Sequence, residues 1–233
     1  MTGTLFGIGL GPGDPGLITR RAAKLIGMAR VIAYPALAGE ESFARGIATD
    51  LIPEGVREIT INIPMTVART PAQAAYDRGA AEIAKALSAG DDVACLCEGD
   101  PFLYGSFMYL HARLADRFRV EVVPGVTSLT ACAAVAGMPL AARSGQLTVL
   151  PGTLPADELA HRMHDADFVA FLKVGRNLPK LRILMERLGL LERAIYVERA
   201  TLAEEHVCPL SDAPDTAPYF SMILVNRHGD PWF

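Results

Sequence analysis

Short β-rich runs separated by stretches of helical periodicity constrain this chain most strongly, because few architectures let strand and helix alternate at such close range. The runs at 4–9, 31–34, 57–61, 92–97 and 119–123 read as strands. Between them Ala22, Leu25, Ile26 and Ala29 recur at helical spacing after Thr19, a residue suited to an N-cap. Tyr76, Ala80, Ile83, Ala84 and Leu87 do so again, as do Leu103, Phe107, Leu110 and Leu114. Such alternation predicts a mainly parallel sheet in an α/β fold. A second series follows Pro124, with strands expected at 147–150, 168–172, 194–197 and 220–225 and helical spacing at Leu178, Leu181, Met185 and Leu188. The break at Val123-Pro124-Gly125 therefore predicts two α/β domains, residues 1–123 and 124–233, sharing a cleft. Residues 62–71 carry Pro64 and Pro71 without clear periodicity, and read as a surface loop longer than the usual ~4–6 residues, suited to act as a lid.

Bulk composition narrows the function classes. With 22 basic and 26 acidic side chains, a net charge of -4 gives no footprint of a nucleic-acid binder, so an anionic ligand must meet a local basic patch. The N-terminal stretch has no basic region followed by a long apolar one, and no run approaches the ~20 apolar residues of a membrane span, so a cytoplasmic protein is expected. Cys95, Cys97, Cys132 and Cys208 lack disulfide or zinc spacing and read as reduced packing residues. His161 and His164 fall three apart on an expected helix with no companion ligands, a surface pair rather than a metal site.

Three segments can carry chemistry. The first is Gly7-Ile8-Gly9-Leu10-Gly11-Pro12-Gly13-Asp14-Pro15-Gly16, between a strand and a helix, where glycine lets a backbone approach a ligand closely. Gly11, Gly13 and Gly16 match a dinucleotide fingerprint formally, but the register starts two residues after the strand, and the second strand ends in Tyr34-Pro35 without the acid that would hold a ribose. The second is Glu98-Gly99-Asp100-Pro101-Phe102-Leu103-Tyr104-Gly105-Ser106, just past the carboxyl end of a strand; Asp100 either accepts hydrogen bonds from a ligand or caps a helix. The third is Val122-Val123-Pro124-Gly125-Val126-Thr127-Ser128, a turn into a small-residue helix where Thr127 and Ser128 serve either a ligand or the helix start.

Taken in order and spacing, these segments resemble the tetrapyrrole methylases, and the resemblance continues through Lys173-Val174-Gly175 and Val197-Glu198-Arg199-Ala200-Thr201. It implies two α/β domains with S-adenosylmethionine folded in the cleft between them. It places Pro12, Glu98, Gly99, Asp100, Leu103, Thr127, Ser128, Val174 and Ala200 at cofactor-contact positions, many of them used through main-chain atoms. Relatives often have methionine where this chain has Val174, and some have glycine at Ala200. Within the family, Asn62-Ile63-Pro64-Met65, Ala75-Tyr76-Asp77, the segment from Glu98 to Ser106 and that from Val197 to Thr201 resemble members that methylate carbon 20 of precorrin-2. Members acting on uroporphyrinogen carry an acid just after the second strand, where this chain has Tyr34-Pro35.

The implied reaction moves an electrophilic methyl onto an electron-rich meso carbon and needs no metal and no covalent nucleophile. Alignment at ~3–3.5 Å would be the protein's main task. Tyr104, Tyr76 and Asp100 are candidates for the group that receives the displaced proton, and Arg20, Arg143, Arg176 and Arg199 for carboxylate recognition. A homodimer is implied by the resemblance alone. The alternatives are another precorrin or cobalt-precorrin methylase, a nicotinamide-dependent oxidoreductase and a noncatalytic ligand-binding protein.

Overall fold

The computed structural model describes residues 2–64 and 69–228. Its contacts divide the chain into two compact units, Met1–Thr127 and Ser128–Phe233.

The first unit runs β1 (Thr4–Gly9), α1 (Arg20–Gly27), β2 (Val31–Leu37), α2 (Phe43–Ile47), β3 (Arg57–Ile63), α3 (Arg69–Ser88), β4 (Val93–Cys97), α4 (Phe107–Leu114) and β5 (Arg119–Val123). Thr19 caps α1 as expected, its hydroxyl accepting the Ala22 amide at 3.2 Å. The strands form an all-parallel sheet in the order β3-β2-β4-β1-β5. Strand alternation sorts side chains onto two covered faces. Val93, Cys95 and Cys97 pack with Ile83 and Leu87 of α3 and Phe107 and Leu110 of α4. Ala94 and Leu96 face the other way, toward Ala22 and Ile26 of α1 and Ile47 of α2.

β1 lies next to β4, yet β1 leads to β2 on one side and β4 leads to β5 on the other. Connections that leave adjacent strands in opposite directions open a crevice at the carboxyl edge, where open α/β sheets bind ligands.

At the ends of the 62–71 segment β3 continues through Ile63 and α3 begins at Arg69, while residues 65–68, on which the loop expectation falls, lie outside the described residues. Helix α4 starts at Phe107, not at Leu103, because residues 100–105 fold into a tight turn of their own. A Cβ on Gly105 would come within 2.6 Å of the Asp100 and Pro101 carbonyl oxygens.

The second unit runs α5 (Ser128–Val135), β6 (Leu147–Pro151), α6 (Ala156–Arg162), β7 (Phe168–Leu172), α7 (Leu178–Arg187), β8 (Ala194–Glu198), β9 (His206–Pro209) and β10 (Ser221–Asn226). The sheet order is β6-β7-β10-β8-β9. Only β6 and β7 pair in parallel; β10 is antiparallel to both β7 and β8, and β9 is antiparallel to β8. A mainly parallel sheet was expected, and this unit departs from it. β7, α7 and β8 do form a parallel crossover, but β10 inserts between its strands, and a local pattern of apolar residues carries no information about insertion. The short β9 was not expected either, since His206-Val207-Cys208-Pro209 shows no clear alternation. One face packs on α6 and α7 through Leu159, Leu178, Leu181 and Met185; the other packs on α5 through Leu129 and Cys132. His164 lies beyond the end of α6, paired with Asp165 at 2.7 Å, so the two histidines do not share a helix face.

Candidate functional site

In the first unit all three glycine-bearing segments meet at the carboxyl edge of β1, β4 and β5. The Leu10 amide donates to the Cys97 carbonyl at 3.0 Å, and Gly11 and Gly99 exchange amide-to-carbonyl bonds at 3.3 and 2.7 Å. Gly125 packs directly over this bridge. A Cβ at Gly125 would lie 2.1 Å from the Gly99 oxygen, and one at Gly9 would lie 2.5 Å from the Gly125 nitrogen. Any side chain at either position would force the crossing apart.

Asp100 fastens the crossing. One carboxylate oxygen accepts the Phe102 amide at 2.9 Å and the other accepts the Gly125 amide at 3.1 Å. It caps no helix, since α4 starts seven residues later, at Phe107. Each oxygen retains a further lone pair for a ligand hydroxyl or ammonium group. Glu98, at the end of β4, is half-buried, and burial raises its carboxyl above the usual range. No ion pair involves it among the described residues. Such a carboxyl suits a cationic ligand group, which would offset the cost of its desolvation.

The Asp14 side chain accepts the Gly16 amide at 2.7 Å and starts the short turn Pro15–Leu17. A carboxylate already occupies the amide that a pyrophosphate would seek, which weighs against the dinucleotide reading. Thr127 directly precedes α5, whose first residue is Ser128.

The three proton-acceptor candidates separate. Tyr76 is buried, its ring 4.9 Å from that of Tyr109, and burial pushes its phenol up to about 12, which makes it a poor acceptor at neutral pH. Asp100 holds two backbone amides. Tyr104 is half exposed on the turn, with a left-handed backbone (φ 55°).

In the second unit Val174 follows β7 and Ala200 follows β8 on the same edge of the sheet. Both side chains are buried in the core, so their main chains are what they can offer a ligand. Between these ends sits the turn into β10. The Arg199 amide donates to the Phe220 carbonyl at 2.8 Å, the Gly175 amide donates to the Ser221 hydroxyl at 3.2 Å, and that hydroxyl donates to the Pro218 carbonyl at 2.7 Å. Left-handed non-glycine backbone is uncommon and tends to mark functional loops. Among the described residues it occurs at Tyr104, Arg143, Lys173, Arg199 and Thr201. All but Arg143 lie in three of the loops that carry the candidate contacts, those after β4, β7 and β8.

Arg176 and Arg199 share this edge, whereas Arg143 lies on the segment into β6, whose first residue pairs with the first residue of β7 at the opposite edge. Arg20 opens α1. All four are exposed, and none has an ion-pair partner among the described residues. Where the resemblance marked Tyr34-Pro35, the Tyr34 hydroxyl donates to Glu58, which also takes a bidentate pair from Arg45 at 2.8 and 2.9 Å. Pro35 follows Ala33, the last β2 residue paired with β4, so its missing N–H breaks no bond on that side.

Gly9, Gly125 and the 218–221 turn were not singled out by sequence reasoning as parts of a site. Gly9 and Gly125 stood in quoted motifs, but only their contact distances reveal the crossing. All four cysteines are free, and burial raises the Cys97 thiol to about 11 and Cys132 to about 12, as packing residues should be. Among the described residues no group of three His, Cys, Asp or Glu side chains is placed to hold a metal ion, and no helix is long and apolar enough to cross a membrane.

The profile of the family described as Tetrapyrrole (Corrin/Porphyrin) Methylases matches residues 4–214. A precorrin-2 C(20)-methyltransferase of a Sinorhizobium species is 43% identical over 232 residues, covering 96% of this chain and 95% of that protein. The cobalamin biosynthesis protein CobIJ of Mycobacterium tuberculosis is 45% identical over 233 residues, and the match spans 46% of its length. Among solved structures, a uroporphyrin-III C-methyltransferase from Thermus thermophilus complexed with S-adenyl homocysteine shares the fold, with a TM-score of 0.69 at 23% identity, covering 97% of this chain and 98% of that one.

Proposed function

Because the chain belongs to the tetrapyrrole (corrin/porphyrin) methylases, we propose that it transfers the methyl group of S-adenosylmethionine to carbon 20 of precorrin-2, giving precorrin-3A in cobalamin biosynthesis. The observation that carries this reading is the whole-length likeness to the Sinorhizobium enzyme. S-adenosylmethionine, when bound, supplies a methyl group already made electrophilic by its sulfonium. Transfer would exchange the sulfur–methyl bond for a bond to carbon 20 and would leave that carbon's proton for the protein to take up.

The protein's work is to bind, orient and take up that proton. Pro12, Glu98, Gly99, Asp100, Leu103 and Thr127 of the first unit, with Ser128, Val174 and Ala200 of the second, are the proposed cofactor contacts. The half-buried Glu98 carboxyl, raised by burial, and the spare lone pairs of Asp100 support a ligand bearing an ammonium and hydroxyl groups. Arg20, Arg176 and Arg199 are proposed to meet substrate carboxylates, which the absence of an ion-pair partner among the described residues supports, whereas Arg143, at the opposite edge of its sheet, is not. Tyr104 is the proposed proton acceptor, being the half-exposed candidate of the three. The enzyme is proposed to work in the cytoplasm as a homodimer, with neither nucleic acid nor membrane as partner.

The test is incubation with precorrin-2 and methyl-labelled S-adenosylmethionine. A trimethylated product labelled at carbon 20 is expected. Faster methylation of cobalt-precorrin-2 would overturn the metal-free assignment, and methylation of uroporphyrinogen instead would overturn the choice of acceptor. Tyr34, its hydroxyl tied to Glu58, and Pro35 stand where members acting on uroporphyrinogen carry an acid, which supports the first outcome.

A further inference from the structure

Tyr219 and Phe220 stand out among the exposed apolar side chains of the second unit. Tyr219 is 77% exposed and Phe220 36% exposed, with ring centroids 5.1 Å apart at 77°. Scattered exposed hydrophobics need no explanation, but two adjacent aromatic rings on a rigidly held turn form a presented surface.

The turn is fixed from both sides. Ser221 bonds backward to Pro218 and receives the Gly175 amide, the Ser221 amide donates to the Tyr219 carbonyl at 3.0 Å, and the Phe220 carbonyl receives the Arg199 amide. Gly175 directly precedes Arg176. The aromatic pair is therefore flanked in the chain fold by two arginines with no ion-pair partner among the described residues. Left-handed backbone at Lys173, Arg199 and Thr201 surrounds it. Strain at such residues persists only where the surroundings over-determine it, and it gathers at ligand clamps.

An exposed aromatic pair in edge-to-face contact, on a sheet edge that also carries Arg176 and Arg199, suits one ligand chemistry: a conjugated planar macrocycle carrying carboxylates at its periphery. We propose that Tyr219 and Phe220 are positioning residues, forming the platform on which the tetrapyrrole rests in the second unit, with Arg176 and Arg199 meeting its side-chain carboxylates. This rests on the tetrapyrrole methylation proposed above. It assigns the pair no part in the chemistry itself. The rings set where the macrocycle lies and so which carbon faces the methyl group.

The test compares Tyr219→Ala, Phe220→Ala and the double variant with Ile183→Ala, a 65%-exposed apolar residue on α7 away from this edge. KM for precorrin-2, kcat, calorimetric affinity for S-adenosylmethionine and melting temperature are measured for each. Losing an aromatic anchor should raise KM for precorrin-2 on the order of tenfold in each single variant, and more in the double, with cofactor affinity and melting temperature unchanged. Tyr219→Phe should restore the wild-type KM, and Ile183→Ala should leave it unchanged. An unchanged KM in the double variant, while the wild-type protein methylates precorrin-2, would overturn the platform and leave the proposed activity standing. Parallel loss of cofactor affinity and melting temperature would make the pair a folding element and also overturn it. A wild-type protein that methylates no tetrapyrrole would bring down the underlying reading, and the platform with it.

Discussion

Asp100 joins two loops that are far apart in sequence, and the physical consequence is a coupling between stability and binding. Its carboxylate satisfies the amides of Phe102 and Gly125, and leaving a partly buried donor without an acceptor costs about 1–3 kcal/mol. Asp100→Ala should therefore lower both the melting temperature and the affinity for S-adenosylmethionine, while Asp100→Asn, which keeps one acceptor oxygen, should fall between. Calorimetry and thermal unfolding check this, and a variant that kept both properties would show that neither amide depends on the carboxylate. Glu58 offers a separate test by pH. Hydrogen bonds from Arg45 first and Tyr34 second hold its carboxyl at about 2, against an ordinary value of 4.5. A depressed carboxylate contributes stability that is present above its unfolded pKa and is lost as pH falls through its folded one. The stability gap between wild type and Glu58→Gln should thus be full above pH 4.5 and should close as pH falls toward 2. A gap independent of pH over that window would mean that the ionised form is not what Arg45 and Tyr34 hold.

The connections between elements decide what the sequence could reveal. Runs such as Thr4–Gly9 and Phe168–Leu172 were legible because buried strands are short apolar runs bounded by turn residues. That the three first-unit loops lie at one sheet edge was legible for the same local reason, each following a strand end. What was not legible is set by distant partners. Nothing near Ser221 announces that β10 slips between β7 and β8, and nothing near Gly125 announces that its α-carbon lies against Gly9 and Gly99. Tyr76 was legible as apolar periodicity, and the structure keeps it in that role, buried between helices where its phenol titrates too high to serve as a base. The glycine crossing is also the most sensitive element to perturb. Gly125→Ala places a Cβ 2.1 Å from the Gly99 oxygen, a backbone atom that cannot rotate away. Overpacking of this kind costs about 1–3 kcal/mol. The expected variant keeps its far-UV circular dichroism, melts lower and loses S-adenosylmethionine binding. Undiminished binding would show that the crossing does not shape the cofactor loops.

For the molecule as a whole, the question is which ligand stabilises it, and the competing readings differ there most sharply. A dinucleotide would need free amides at the start of the first helix and an acid at the tip of β2. The structure has instead the Asp14 carboxylate on the Gly16 amide, and β2 ends in Ala36-Leu37. Added negative charge from a pyrophosphate would face that carboxylate without a basic partner in the loop, since no Lys or Arg occurs between Met1 and Thr19. S-adenosylmethionine carries positive charge on its sulfonium and ammonium groups, and the carboxyl edge of the first unit presents Glu98 and Asp100. A ligand that binds only the folded state stabilises it by about 2.7 kcal/mol at a hundred times its dissociation constant. Saturating S-adenosylmethionine or its demethylated product should accordingly raise the melting temperature, and oxidised or reduced nicotinamide dinucleotides should leave it unchanged. The cofactor effect should weaken in Glu98→Gln if the carboxylate meets the ligand's positive charge. Stabilisation by a dinucleotide alone would return the chain to the oxidoreductase reading, and stabilisation by neither would leave the crossing of Gly9, Gly99 and Gly125 as a purely structural joint.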